Sequence, residues 1–364
     1  MEGNMFNKNE TIKVKGVAVL LLMFHHLFYN ANQVEQSGIK FLLLSEDKVQ
    51  PIAVAARICV WIFAFLSAYG LTYSYNKNKE KETCLQFIVK HWLSLMKAYW
   101  IVYVCVFISY TIVVGNPMQV YENSFKRMLL DFMGWGNFFQ TPMLINVWWY
   151  MCFAQILIIA IPLVDVYCEK FGMGGFVLGF FILQYLPEGI TSIYSGKYSL
   201  YFLVIILGTI CAKNQVLDKI LQKSDKGHIK AMGKAIALIC AVIVLLMFKY
   251  KIREIDQWQI SSALSAISTL FIVIVVSKYI RGQILVKGIS FLGKHSGNIF
   301  MIHAFFYTYC KSVVYWSHNA LLSYITLACL SLLSSIVIEF IRKILHYNEL
   351  MAKLSQRIVV LIKY

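Results

Sequence analysis

Charge is scarce in this chain, and acid is scarcer still. Of 364 residues only 14% are Asp, Glu, Lys or Arg, and 34 basic residues outnumber 18 acidic ones. A soluble globular domain carries about 25% charged residues, so that class is excluded. There is no Cys-x-x-Cys pair and no His/Cys cluster at metal-ligand spacing, so no metal site is expected. The nine cysteines, from Cys59 to Cys329, lie mostly within apolar runs and are expected as buried thiols acting as small hydrophobes. No small-residue cleavage site follows the first apolar run, which is therefore expected to stay as a span. Neither an internal repeat nor the matched Pro/Gly interruptions of inverted-repeat transporters can be seen. The polar connections are too short for an appended signalling domain, which argues against a sensor.

What the chain has in abundance is apolar surface: 59% of it is hydrophobic and 15% aromatic, with a mean hydropathy of +0.65. An all-α polytopic membrane helical bundle is expected, with about ten transmembrane helices. Their approximate limits are 14–30, 54–75, 91–114, 144–167, 173–187, 198–213, 232–248, 258–279, 288–310 and 320–343. Pro187 and the stretch 188–197 leave the fifth and sixth short. The expected organisation is a cytoplasmic segment over 1–13, a transmembrane domain over 14–345 and a cytoplasmic tail over 346–364. Segment 122–139, with Glu122, Lys126, Arg127 and Asp131 among apolar residues, reads as an amphipathic surface helix.

The net charge of +16 is read through loop asymmetry and not as a nucleic-acid footprint. Alternate connections collect Lys8, Lys13 and Lys15, then Lys77 to Lys90, then Lys170, then Lys213 to Lys234 (including Lys226), then Lys278, Arg281 and Lys287, then Arg342 to Lys363. The opposite connections are sparser, although Lys249, Lys251 and Arg253 weaken the contrast. Both termini are therefore expected in the cytoplasm, with membrane lipids as neighbours and no nucleic-acid partner.

Ionisable groups inside hydrocarbon are costly, so His25 and His26 in the first span form a functional-site hypothesis. His26 lies eleven residues after Lys15. At about 100° per residue, this puts both on one stripe, with His26 roughly 16 Å deeper, about half the hydrocarbon thickness. His25 points about 100° away, as a supporting residue would. The alternative is that both imidazoles simply hydrogen-bond neighbouring helices. The ninth span carries Gly293-Lys294-His295-Ser296-Gly297-Asn298 and then His303. Asn298 and His303 are too polar to face lipid, although Asn298 and Ser296 could serve only to tie helices together. Arg57 opens the second span and either turns inward or snorkels to the interface. Lys90, His91 and Lys97 form a cluster suited to a phosphorylated ligand or to anionic head groups.

Four segments together resemble membrane-bound acyltransferase family 3, integral-membrane O-acyltransferases that modify bacterial surface carbohydrates. Lys15-Gly16-Val17 through His26 matches the family's opening, with lysine for the more usual arginine. Ser67-Ala68-Tyr69-Gly70 keeps the frame of its second helix, Trp148-Trp149-Tyr150 fits its middle helix, and Gly293 to Ser296 with His303 fits its late segment. The likeness extends over about residues 12 to 345. Two departures stand out. Lys90, His91 and Ser94 occupy the place of closely spaced arginines, and Ala154-Gln155 that of an acidic residue.

The resemblance implies acyl transfer from cytosolic acyl-CoA, with acetyl the prevalent group, to a hydroxyl of a cell-surface or lipid-linked polysaccharide in the plasma membrane. No permanently bound cofactor is implied, acyl-CoA being a co-substrate. Candidates for binding its anionic head are Lys15, Lys90, His91, Lys97 and Arg57. Catalytic candidates are His26 as general base, His25 beside it, and Ser296, Asn298 or His303 as donors to the thioester oxyanion. A transporter or flippase of a lipid-linked saccharide is the rival reading, since it too needs polar residues in a multi-helix cavity.

Overall fold

A computed structural model describes residues 6–42, 44–185, 198–223, 225, 227–253 and 258–362. Pro187, the stretch 188–197, Lys226 and Lys363 lie outside them. The helices are α1 (Lys8–Phe28), α2 (Ala31–Ser37), α3 (Glu46–Ala55), α4 (Ile58–Asn78), α5 (Cys84–Val113), α6 (Phe125–Phe132), α7 (Trp149–Phe171), α8 (Gly174–Tyr185), α9 (Phe202–Lys213), α10 (Val216–Gln222), α11 (His228–Arg253), α12 (Trp258–Tyr279), α13 (Gln283–Tyr309), α14 (Lys311–Val314), α15 (Ala320–Ile344) and α16 (Tyr347–Leu361). Among the described residues there is no strand, only an isolated bridge between Lys40 and Asn319. The architecture is that of an all-α membrane protein.

Each segment expected to span falls on a helix, and among the described residues seven helices are long and apolar enough to cross a membrane. Three expected spans depart from the simple form, each for a physical reason. α8 has 12 residues, or about 18 Å of length at 1.5 Å per residue, short of the ~30 Å hydrocarbon layer. α9 and α10 are bent by 62° at a break, where Gln215 takes a left-handed φ of 51° that no α-helix continues through. α13 has 27 residues, ample length, but it carries Ser296, Asn298 and His303, which are buried inside the protein.

Two compact units divide the chain. The first comprises 1–22, 54–77 and 160–294, the second 23–53, 78–159 and 295–364, so α1, α7 and α13 each contribute to both.

The first unit is packed through small residues, as membrane helices that lack a hydrophobic driving force require. A Cβ on Gly208 would come within 2.8 Å of the Phe65 carbonyl oxygen, so α9 crosses α4 almost backbone to backbone. Beside that crossing the Thr72 and Thr209 hydroxyls meet at 3.1 Å. α12 turns Ser262, Ser265, Ser268 and Thr269 inward, all fully buried. The last three bond carbonyls one turn back on the same helix, which satisfies them without a partner. Buried Asp165 is held by Lys213 Nζ and Asn76 Nδ2, each at 2.8 Å.

In the second unit α5 opens on a capping box in which Thr83 and Gln86 each satisfy the other's backbone N–H. The expected amphipathic surface helix over 122–139 is shorter, confined to α6, and differs in one residue: Glu122 and Lys126 face outward, as do Phe125 and Leu129, but Asp131 is buried. The acid serves as an internal knot. Its Oδ2 accepts from the Tyr121 hydroxyl at 2.7 Å and the Leu144 N–H at 2.9 Å, and its carbonyl accepts from the Tyr99 hydroxyl. Burial pushes this carboxyl up to about 7.

The expected tail is largely helical. Met351 of α16 is buried, and Val359 O accepts from Gln86 of α5. The cysteines also differ from expectation: Cys59, Cys152, Cys168 and Cys211 are buried, whereas Cys84, Cys240 and Cys329 face outward. A thiol on an apolar helix suits lipid as well as a core.

Candidate active site

α1 and α13 meet through two glycines in the first unit. A Cβ on Gly16 would lie 2.0 Å from the Ile289 carbonyl oxygen, and one on Gly293 would lie 1.9 Å from that of Ile12. No side chain fits there, which explains the glycines of the Lys15-Gly16 and Gly293-Lys294 segments. Of the nearby lysines, Lys13 is the anchored one. Its Nζ pairs with Glu10 at 2.7 Å and donates to Ser277 O at 3.0 Å, at the C-terminus of α12 where carbonyls are unsatisfied. Lys15 is half-buried on α1.

Ten residues after each glycine comes a histidine, His26 on α1 and His303 on α13. In the second unit these imidazoles pack together with ring centroids 5.1 Å apart. Tyr307 stacks on His26 at 5.4 Å with an interplanar angle of 14°, and its hydroxyl lies 3.2 Å from His26 Nδ1. His26 is only half-buried, whereas His303 is fully buried. His303 Nδ1 lies 3.0 and 2.9 Å from the carbonyls of Ile299 and Phe300. Carbonyls only accept, so that nitrogen carries the hydrogen and Nε2 offers a lone pair. This Nε2 is buried with no partner among the described residues. His25 takes a different part: its Nδ1 donates to the Ala53 carbonyl at 2.7 Å, and the ring stacks on Tyr29 at 4.7 Å.

Farther along α13, a polar chain runs across to α15. His295 Nδ1 meets Ser335 Oγ at 2.8 Å. Asn298 Nδ2 donates to Ser335 Oγ at 3.1 Å and to Glu339 Oε1 at 2.8 Å. Glu339 pairs with Arg342, whose other guanidinium nitrogen donates to Ala98 O of α5. Of the three expected oxyanion donors, Asn298 thus has both amide hydrogens engaged and His303 has its N–H engaged. Ser296 remains.

The expected acyl-CoA binders are distributed unevenly. Lys90, His91 and Lys97 share α5, with Lys90 and Lys97 on one face at heptad spacing. Lys90 pairs with Glu82 at 2.9 Å and His91 packs on Phe87 at 4.4 Å. Arg57 belongs to the first unit. It lines a cavity of the first unit with Trp61, Lys249 and Trp258, where α4 begins, α11 ends and α12 begins. Lys77, Lys234 and Lys278 mark the other ends of those helices.

Sequence reasoning missed Tyr307, Ser335, Glu339 and Arg342. A signal existed for each: Tyr307 is four residues after His303, and the other three recur at i, i+4 and i+7 on an apolar helix, which places each set on one face.

Residues 13–340 match the family model described as an acyltransferase domain, of acyltransferase family 3. The chain belongs to the acyltransferase 3 family. No curated protein and no solved structure matched it. The acyltransferase 3 match covers nearly the whole chain, including both glycines of the helix crossing, the His26–His303–Tyr307 cluster and Glu339. The protein is therefore a multi-pass membrane acyltransferase.

Proposed function

We propose that this acyltransferase 3 protein moves an acyl group, acetyl by family prevalence, from acyl-CoA to a hydroxyl of a cell-surface or lipid-linked polysaccharide. In this reading it sits in the plasma membrane with both termini cytoplasmic, as the loop lysines favour. The observation that carries the proposal is the half-buried His26 ring clamped between Tyr307 and His303. With hydrogen on Nδ1 and Tyr307 oxygen as its acceptor, His26 keeps a lone pair on Nε2, the tautomer of a general base. The acceptor O–H gives its proton to that nitrogen as its oxygen attacks the thioester carbon. The tetrahedral adduct then collapses, the C–S bond breaks, and the CoA sulfur leaves with the proton from His26. His303 Nε2, fixed as an acceptor, takes a hydrogen bond from a second, neighbouring hydroxyl of the acceptor and so orients it, and Ser296 is the proposed oxyanion donor. Lys15, Lys90, His91 and Lys97, joined by Arg342, are the proposed partners of the CoA phosphates.

General-base assistance is typically worth ~10²- to 10⁴-fold. His26→Ala is expected to abolish acyl transfer while His25→Ala retains much of it. The measurement is NMR of surface polysaccharide O-acyl content from deletion and complemented strains. A correctly inserted His26→Ala protein that still acylates refutes the assignment. Movement of a lipid-linked saccharide with no dependence on acyl-CoA would replace it with a flippase.

A further inference from the structure

The segment that follows His26 takes no part in the chemistry above. His26 is two residues from the end of α1, and the first residues beyond that end, Tyr29 and Asn30, are exposed. Residues 29–37 include the carboxamides Asn30, Asn32, Gln33 and Gln36, with Glu35 as the one charge and no lysine or arginine. An anion such as CoA has no cationic partner among them, whereas a polyhydroxyl chain suits carboxamides, which both donate and accept. Tyr29 is firmly held. Its N–H donates to the His25 carbonyl at 2.9 Å, and its own carbonyl accepts from Gln50 Nε2 at 3.4 Å. Its ring stacks on His25, itself pinned to the Ala53 carbonyl, and stands edge-on to His26 at 6.0 Å and 88°. The stack occupies one face of the phenol, yet 39% of the residue stays exposed. Gln33 Nε2 donates to the hydroxyl of buried Tyr315 at 2.7 Å, which leaves its carbonyl oxygen to accept from another donor. His318 Nδ1 donates to Ser37 O at 2.9 Å and the Lys40 N–H to the His318 carbonyl at 2.8 Å, so this segment is tied to the connection before α15.

We propose that Tyr29 and Gln33 form the acceptor subsite: the apolar face of one neutral sugar ring packs on the Tyr29 phenol, its rim hydroxyls bond the Gln33 carboxamide, and a neighbouring hydroxyl is presented to His26. The inference rests on the proposed function, which it deepens by naming the residues that hold the glycan. A sugar ring shows C–H groups on one face and hydroxyls around its rim, so an aromatic ring beside a carboxamide matches both. His25 then has a definite part: it carries the ring on which the sugar rests, one residue from the base.

The test uses the purified full chain in phosphatidylcholine nanodiscs. Acetyl-CoA is the donor, and the acceptor is surface polysaccharide of the strain that carries the gene, stripped of its acyl groups with alkali. Tyr29→Ala is expected to raise KM for the polysaccharide about three- to tenfold, the ratio to which loss of an aromatic contact converts, with KM for acetyl-CoA within about twofold. Tyr29→Phe keeps the ring and should recover most of that rise. Gln33→Ala should raise the same KM about two- to fivefold. If Tyr29 only steadies His25 and His26, Tyr29→Ala lowers kcat at constant polysaccharide KM, and that result overturns the proposal. So does a rise confined to KM for acetyl-CoA, or polysaccharide binding that weakens steeply with salt, which would mark an anionic unit. Calorimetry with the polysaccharide and no donor separates the two readings. Binding weakened by Tyr29→Ala, without any transfer by the unmodified protein, removes the enzyme and leaves the subsite. Transfer with equal binding by both proteins, or no binding at all, removes the subsite.

Discussion

Removing a single oxygen atom from Tyr307 separates the two things that residue does for His26. Tyr307→Phe keeps the stacked ring, 5.4 Å away and nearly parallel, but deletes the hydroxyl 3.2 Å from Nδ1. That separation is at the long end for a hydrogen bond, so the contact is worth about 1 kcal/mol, or about a fivefold change in rate. A drop of roughly three- to tenfold in kcat is therefore expected, with KM for acyl-CoA unchanged, because the bond orients the base and touches no substrate. Tyr307→Ala also loses the stack, worth a further ~0.5–1.5 kcal/mol, and should fall another two- to tenfold or so. Both should remain above His26→Ala, which forfeits ~10²- to 10⁴-fold. The assay is initial-rate release of free CoA thiol by protein in nanodiscs, over a range of acyl-CoA concentrations. If Tyr307→Phe is as inactive as His26→Ala, the phenol does chemistry of its own. If it matches the unmodified protein, the bond to Nδ1 has no part in catalysis.

Gly16→Ala or Gly293→Ala places a methyl 2.0 or 1.9 Å from a backbone oxygen, so each should cost at least the ~1–3 kcal/mol of overpacking; Gly70→Ala, with open space around it, should be neutral, and equal melting temperatures for all three would contradict the crossing. Asp131 is raised to about 7 in the fold, so between roughly pH 4 and 7 the folded state holds a proton that the unfolded chain has lost. Its contribution to stability should fall as pH climbs through that window and then level off, and Asp131→Asn should flatten the dependence; melting curves from pH 5 to 8 that keep the same slope would refute this. Lys97→Gln should raise KM for acyl-CoA several-fold with kcat little changed, and an altered kcat with constant KM would remove Lys97 from substrate binding.

Hydropathy located the spans because burial in lipid is a property of each segment taken alone. It was least informative where a segment is polar for a reason: α13 is long enough to span, but its hydrophilic face is hidden by other helices. The stripe argument brought out Lys15 and His26 because both lie on one helix. The local period places Tyr307, Glu339 and Arg342 on faces of their helices, but what those faces meet, His26, Asn298 and the Ala98 carbonyl, depends on helix-to-helix apposition that no local period encodes. Asp131 was misplaced because its charge suggested solvent, whereas three hydrogen bonds to its side chain and carbonyl make its burial sustainable. The roles of Asn298 and His303 changed similarly: their polarity was evident, but the carbonyls and carboxylate that engage their hydrogens were not.

α11 packs along α12 and leaves nearly all of its surface outward, with only 6% of its most apolar stretch buried. Yet Leu246, Lys249 and Tyr250 near its end form one wall of the cavity at Arg57. That wall is held on one side by α12 and has its remaining surface left for acyl chains to cover, and mismatch with bilayer thickness costs fractions of a kcal/mol per Å. Extraction into short-chain detergent would loosen this side of the protein first, and membranes of different thickness would tune how tightly the cavity closes.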